Sequence, residues 1–421
     1  MRLCPILSFL CLLLISPGCL IAAKPNIWVY TDMSDPRDQR PGGHPFNDPD
    51  DIVTMAALLL EANRFHIETI VVSSTNRQYL GDSMDFVNNV LLDAYHHDVP
   101  YLNKALGGFQ ESINFVRSSI TQVAIPKRFD PNKDYSDLSG FETVASLIDY
   151  AEENEFYVLC WGPLTEPAMA VKHCMDTDNW KALENMTFIA HWTMSFIAQG
   201  TSETTYKVAN CNDDASACRF IHDQAKLHPE IKYIELGSVG QKGIVDGSSG
   251  FARLDEFNNS RLGQIYLHAK RYGDKPDMSD GSTFWLLSES FGVTLEDYPH
   301  DGTLTQGIEE ANRDAFKANG RLIVGDLLQR SNIAAQANDP FSESLIADYF
   351  TYVFQFLDGR YYIHAPYDFS YQFFDKHDQV VRRGELKAGK YQLDLSELKR
   401  GPHQVQVRSG GITQYFDLEL K

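Results

Sequence analysis

Residues 28–54 read WVYTDMSDPRDQRPGGHPFNDPDDIVT, and their reading decides the fold. An apolar, β-branched run over residues 26–31 predicts a buried strand ending at Asp32. A polar loop with Gly42, Gly43 and His44 follows. It leads to Asp48, Asp50 and Asp51, and the apolar run 52–60 then opens a helix. Carboxylates therefore gather where a strand ends and the next helix begins, the edge at which open α/β sheets bind ligands. So many carboxylates repel one another unless a cation shares them or some stay protonated. A hard divalent cation with oxygen ligands answers that need. The alternative is that Asp48, Asp50 and Asp51 only cap the helix and complement its dipole.

Working outward, strands alternate with helices. Strands are predicted at residues 67–73, 156–161, 186–191 and 232–236. Helices are predicted at 52–62, 82–95, 141–153, 166–173, 214–227 and 263–272. This alternation gives an α/β fold, a mostly parallel sheet flanked by helices. Right-handed crossovers then carry the strand-end residues to one edge: Asp32, residues 74–76, Trp161, and His191 with Trp192. Asp280 joins them only if its segment folds back. Residues 341–357 form an aromatic, helix-like run. Beyond 359 the text alternates in short strands between Gly and Pro turns, a small C-terminal all-β module. The expected division is a leader at 1–23, a main domain at 24–358 and a β-sandwich-like module at 359–421.

The formal net charge of −20 argues against nucleic acid and anionic membrane surfaces as partners. Hydrophobic residues at 43% and aromatics at 12% suit a buried core. Residues 1–23 read as a secretory signal, with Arg2 before a short apolar run, which predicts an exported protein. Lipidation at Cys19 is the alternative. No later stretch is apolar enough to span a bilayer. Beyond the leader, Cys160, Cys174, Cys211 and Cys218 remain. Cys211 and Cys218 are close enough to pair, and Cys160 reads as a buried thiol. A homo-oligomer stays open.

Five short motifs, in order, resemble the nucleoside hydrolases. They look closer to the extracellular nucleoside hydrolase-like proteins, some of them linked to cellulose binding. The motifs are Thr31-Asp32 with the later DPDD, TIVVSSTN ending at Asn76, LCWGPLTEPAMAV around Trp161, VANCNDDASACRFI around Asn210, and SDGSTFWLL around Asp280. The resemblance implies Ca²⁺ held by Asp32, Asp51, the Trp161 carbonyl and Asp280, with Asp32 and Asp50 catalytic. It implies a sugar or nucleoside-like ligand, or a polysaccharide, contacted by Asn76 and Asn210. Glu166, His191 and Trp192 are further candidates for substrate contact. A metal-activated water would attack an anomeric carbon; a glycan-binding protein using the same cleft is the alternative. Ser279 stands where the family has a His, Val208 where it has an acidic residue, and Glu166 where it has an Asn. The metal end of the pattern is retained and the leaving-group end is changed.

Overall fold

The computed structural model describes residues 24–36, 48–75, 83–122, 128–272, 274–350, 353–357, 360–365, 369–377, 379–387, 389–409 and 412–420. Six strands, β1 (Asn26–Tyr30), β2 (His66–Val72), β3 (Phe115–Arg117), β4 (Phe156–Cys160), β5 (Met186–Ala190) and β6 (Lys232–Glu235), form one sheet in the order β3-β2-β1-β4-β5-β6. Every neighbouring pair is parallel. The alternation along β1 explains the layering. Ile27 and Val29 enter one core, and Trp28 and Tyr30 the other. The expected α/β class therefore holds.

Helices cover both faces: α1 (Pro49–Leu60), α2 (Ser83–Phe86), α3 (Leu92–Ala105), α4 (Glu142–Ala151), α5 (Thr165–Asp176), α6 (Trp180–Asn185), α7 (Ala209–Asp213), α8 (Ala215–Leu227), α9 (Arg261–His268), α10 (Ser282–Ser288), α11 (Gln306–Ala334) and α12 (Glu343–Phe350). α1 starts earlier than the apolar run suggests because Pro49 sits in its first turn, where no N–H is needed. It then buries Ile52, Val53, Met55, Leu58, Leu59 and Leu60 completely, each side chain contributing about 1.5–3 kcal/mol. Strand order reverses between β1 and β4, so a crevice opens at the C-terminal ends of those two strands.

Four stretches differ from the expected pattern. The run 341–357 is half helix and half strand: α12 is followed by β9 (Val353–Leu357), which pairs with β10 (Arg360–Ala365). Short aromatic runs fit either period, and tertiary pairing decides. No expectation covered α11, although Thr305 caps it by accepting from the Ile308 N–H and it buries Phe316, Ile323, Val324 and Leu327. Nor did one cover β3, a three-residue edge strand, and the helix expected over 263–272 ends at His268, its last two residues instead forming β7 (Arg271–Tyr272), which pairs with β8 (Lys275–Pro276).

Strands β11 (Phe369–Asp375), β12 (Val380–Leu386), β13 (Gly389–Leu393), β14 (Gly401–Ser409) and β15 (Ile412–Leu420) complete the C-terminal part. Two antiparallel sheets, β13-β10-β9 and β12-β11-β14-β15, share a core of Ile363, Phe369, Phe373, Leu393, Val405 and Val407. Its first strand begins at Val353, ahead of the expected boundary at 359. Cys211 and Cys218 are joined, while Cys160 and Cys174 are buried thiols. Among the described residues no helix is long and apolar enough to cross a membrane. The expected leader, with Cys19, and the loop residues Gly42, Gly43 and His44 lie outside the described residues.

Candidate functional site

The sheet ladder carries a row of backbone positions to one edge. Thr31 N–H donates to Val71 O, Trp161 N–H to Tyr30 O and His191 N–H to Cys160 O. Asp32 follows Thr31 at the strand-order reversal. Carboxylate oxygens of Asp32, Asp48 and Asp51 lie within 4.8 Å of one another, and all three residues are buried. Asp48 and Asp51 are three apart at the start of α1 and so share a side of that first turn. Asp48 has φ 34°, ψ 75°, a left-handed conformation unusual for a residue with a Cβ. Ser73 (φ 62°) after β2 and Trp192 (φ 60°) after β5 are strained at the same edge, a clustering typical of sites where geometry is held for use.

Two donors reach Asp51: the Thr31 hydroxyl, and the Asp32 N–H at 3.2 Å from Oδ2. Gly162, just after β4, leaves room for the Asp32 side chain. A Cβ there would stand 2.6 Å from Asp32 Oδ1, so any other residue would displace the carboxylate.

The segment carrying Asp280 does return to this edge. Asp280 sits in a single 3-10 turn, Ser279–Gly281. Its Oδ1 lies 3.8 Å from His191 Nε2, and its Oδ2 is buried without a hydrogen-bond partner. Gly240, in a π-helical turn (Val239–Val245), permits this approach: a Cβ there would lie 2.1 Å from Ser279 O and 2.7 Å from His191 Cε1. Burial holds the Asp51 carboxyl well above the usual carboxylate range, reinforced by Asp280, Asp32, Asp48 and Asp50. Asp280 is raised likewise, by burial and then by Asp50, Asp48 and Asp277. Burial pushes the His191 imidazole down to about 4, against the pull of Asp50 and Asp277.

Asp50 is paired with a cation of the chain itself. Lys270 Nζ lies 2.7 Å from Asp50 Oδ1 and 2.9 Å from Asp277 Oδ2. The carboxylate grouped with Asp32 and Asp51 in the first turn is thus Asp48, which the sequence reading had not included among the cation's ligands, while Asp50, expected to be catalytic, pairs with Lys270. The three-residue spacing of Asp48 and Asp51 is the signal that distinguishes them. Lys270 and Asp277 had no such signal, because a long-range ion pair leaves no local pattern.

The other candidates are placed as follows. Asn210, in α7, donates from Nδ2 to Trp161 O and His191 O, each at 3.0 Å, and so ties the ends of β4 and β5. The Trp161 carbonyl expected to ligate metal accepts one of these bonds. Its ring is buried, donating to Thr283 Oγ1 at 2.8 Å, and Trp285 is core, with its indole N–H 3.3 Å from Glu61 Oε1. Trp192 stacks on His191 at 6.0 Å between ring centres and donates to Gln199 Oε1 at 2.9 Å. Glu166 is enclosed: it accepts from Ser74 Oγ at 2.5 Å, Ser118 Oγ at 2.7 Å and the Thr143 hydroxyl. Burial raises its carboxyl, against those hydroxyls. Asn76 lies outside the described residues.

Three buried carboxylates, Asp32, Asp48 and Asp51, form a donor set that fits a hard divalent cation, and Asp280, with an orphaned oxygen, stands close enough for its charge to act on Asp51. No curated protein matches the chain. Residues 44–235, from the DPDD turn to the end of β6, match the family model described as cellulose-binding Sde182, nucleoside hydrolase-like domain, so over that stretch the chain is similar to this nucleoside hydrolase-like family.

Proposed function

We propose that this protein is an exported, Ca²⁺-dependent hydrolase of N-glycosyl or related glycosidic bonds, with a carbohydrate ligand seated at the β1–β4 crevice. The observation that carries this reading is the buried Asp32–Asp48–Asp51 cluster joined by Asp280 at the strand-order reversal. Asp32, Asp48, Asp51 and Asp280 would hold the cation. Bound there, it supplies Lewis-acid charge that acidifies a water and the sugar hydroxyls near it.

The chain's own residues do the rest. Asp32, fixed by the tight fit against Gly162, takes the proton from the water that attacks the anomeric carbon. The remaining carboxylates stabilise the positive charge that develops on the sugar ring. Asn210 keeps the β4 and β5 ends at a fixed separation, which sets the width of the floor. The family description, which joins cellulose binding to a nucleoside hydrolase-like domain, supports a carbohydrate as the ligand.

A second reading, glycan binding without turnover, is favoured by one specific observation. The two groups available to protonate a leaving group are withdrawn: Glu166 is sealed by three hydroxyls, and His191 is buried, with its imidazole pushed down to about 4. The test is incubation of Ca²⁺-loaded protein with nucleosides and with cello-oligosaccharides. Release of base or reducing sugar that stops on chelation supports hydrolysis. Saturable, chelator-sensitive binding with no product supports the second reading. Neither binding nor product contradicts both.

A further inference from the structure

We propose that Lys270 is a positioning residue: its ammonium pairs with Asp50 and docks the segment bearing Asp280 onto the start of α1. The inference rests on the reading of the cluster as a cation site. Asp280 is separated from the DPDD turn by most of the main domain, so something must fix it there. The chain around it is stiff. Asp277 N–H donates to Lys270 O at 3.0 Å, Met278 N–H to Pro276 O at 3.2 Å, and Gly281 N–H to Met278 O at 3.2 Å. The β7–β8 hairpin lies between Lys270 and Asp277, and its two ends meet at this lysine. One further link runs from Lys270 Nζ to Asp50 on α1. Lys270, Asp50 and Asp277 therefore form a clamp between the first turn of α1 and the segment that ends in Asp280.

The cost of burial favours a positioning role. Lys270 is 9% exposed and Asp277 1%. A buried ion pair is weak evidence for stability, because desolvation offsets the attraction; fixing a register is its best-attested use. Here the register is that of Asp280 against Asp51. The clamp also neutralises Asp50, the immediate neighbour of Asp51.

The test is calorimetric Ca²⁺ titration of chelator-stripped wild type, Lys270→Met, Lys270→Arg, Asp277→Asn, Asp280→Asn and the Lys270→Met/Asp280→Asn double variant, with circular dichroism to verify folding. Lys270→Met and Asp277→Asn are each expected to weaken Ca²⁺ binding about tenfold or more, the scale of losing a group that orients a ligand. Lys270→Arg, which can still bridge two carboxylates, should keep wild-type affinity. In the Asp280→Asn background, Lys270→Met should cost nothing further, because the lysine acts through that residue. Folded Lys270→Met with undiminished affinity overturns the inference while leaving the cation site intact, as does a loss that simply adds to that of Asp280→Asn. If Lys270→Met does not fold, Asp277→Asn carries the same test. Wild type that takes up no Ca²⁺ overturns the cation site itself.

Discussion

Two groups of buried carboxylates stand at the same edge of the sheet and solve opposite problems. Glu166, beside the ends of β2 and β3, is fully enclosed and receives hydroxyl donors from Ser74, Ser118 and Thr143. Its charge is met within the protein. Across the β1–β4 crevice, Asp32, Asp48, Asp51 and Asp280 crowd together; Asp51 has the Thr31 hydroxyl and one backbone N–H, and Asp280 retains an orphaned oxygen. A buried charge persists when it is hydrogen-bonded or paired. The first group is complete as folded, whereas the second keeps the unmet charge that the proposed cation would answer. The difference marks Glu166 as a structural acid and makes the Asp cluster the candidate binding site.

Substitution should break the two groups in opposite senses. Asp51→Asn is expected to lower Ca²⁺ affinity about 100-fold or more, yet leave the stability of the cation-free protein equal or higher, because one repelling charge is gone. Calorimetry and urea unfolding in chelator measure the two effects. Glu166→Ala should do the reverse. It should cost on the order of 3 kcal/mol in urea unfolding, since it strands three buried hydroxyls, and leave Ca²⁺ affinity unchanged. A cation-free protein much weakened by Asp51→Asn would erase the distinction.

A smaller effect sharpens the picture between the two groups. Asn210→Ala removes the donors shared by the Trp161 and His191 carbonyls and should cost about 1–3 kcal/mol. Sugar affinity should fall more than Ca²⁺ affinity, read by titrating sugar at saturating cation.

The smallest effect lies away from the crevice. Burial pushes the Glu61 carboxyl up to about 7, opposed by Arg64 and Arg330. The folded state thus keeps a proton that the unfolded chain releases above the ordinary Glu range. The stability this group contributes is present at low pH and is lost as pH rises from about 4.5 to about 7. Glu61→Gln should flatten that part of the unfolding profile, seen by urea unfolding at pH 4.5, 6 and 8.

The sequence made the scaffold legible because it is written locally. The runs at β1, β2, β4, β5 and β6 are short, apolar and regularly spaced between helices, and parallel pairing follows from that order. The ordered motifs also pointed to Asp32, Asp51 and Asp280, and the fold brings these three to one edge. What stayed hidden depends on distant contacts. Nothing near Lys270 announces that it meets Asp50 and Asp277. Glu166 read as a possible substrate contact because its hydroxyl partners come from three other elements. The place of Asp48 beside Asp32 and Asp51 needed the left-handed turn at Asp48, which spacing hinted at and only the backbone reveals. The strand β9 hid inside an aromatic run that fits both periods.

The most direct measurement is calorimetric titration of chelator-stripped protein with Ca²⁺, with Asp51→Asn beside it. The account predicts one saturable site per chain in the wild type, a rise in melting temperature on loading, and loss of both in the variant. Heat no greater in the wild type than in Asp51→Asn would contradict it, and would mean that the carboxylates at the β1–β4 crevice share protons and cap a helix without holding a cation.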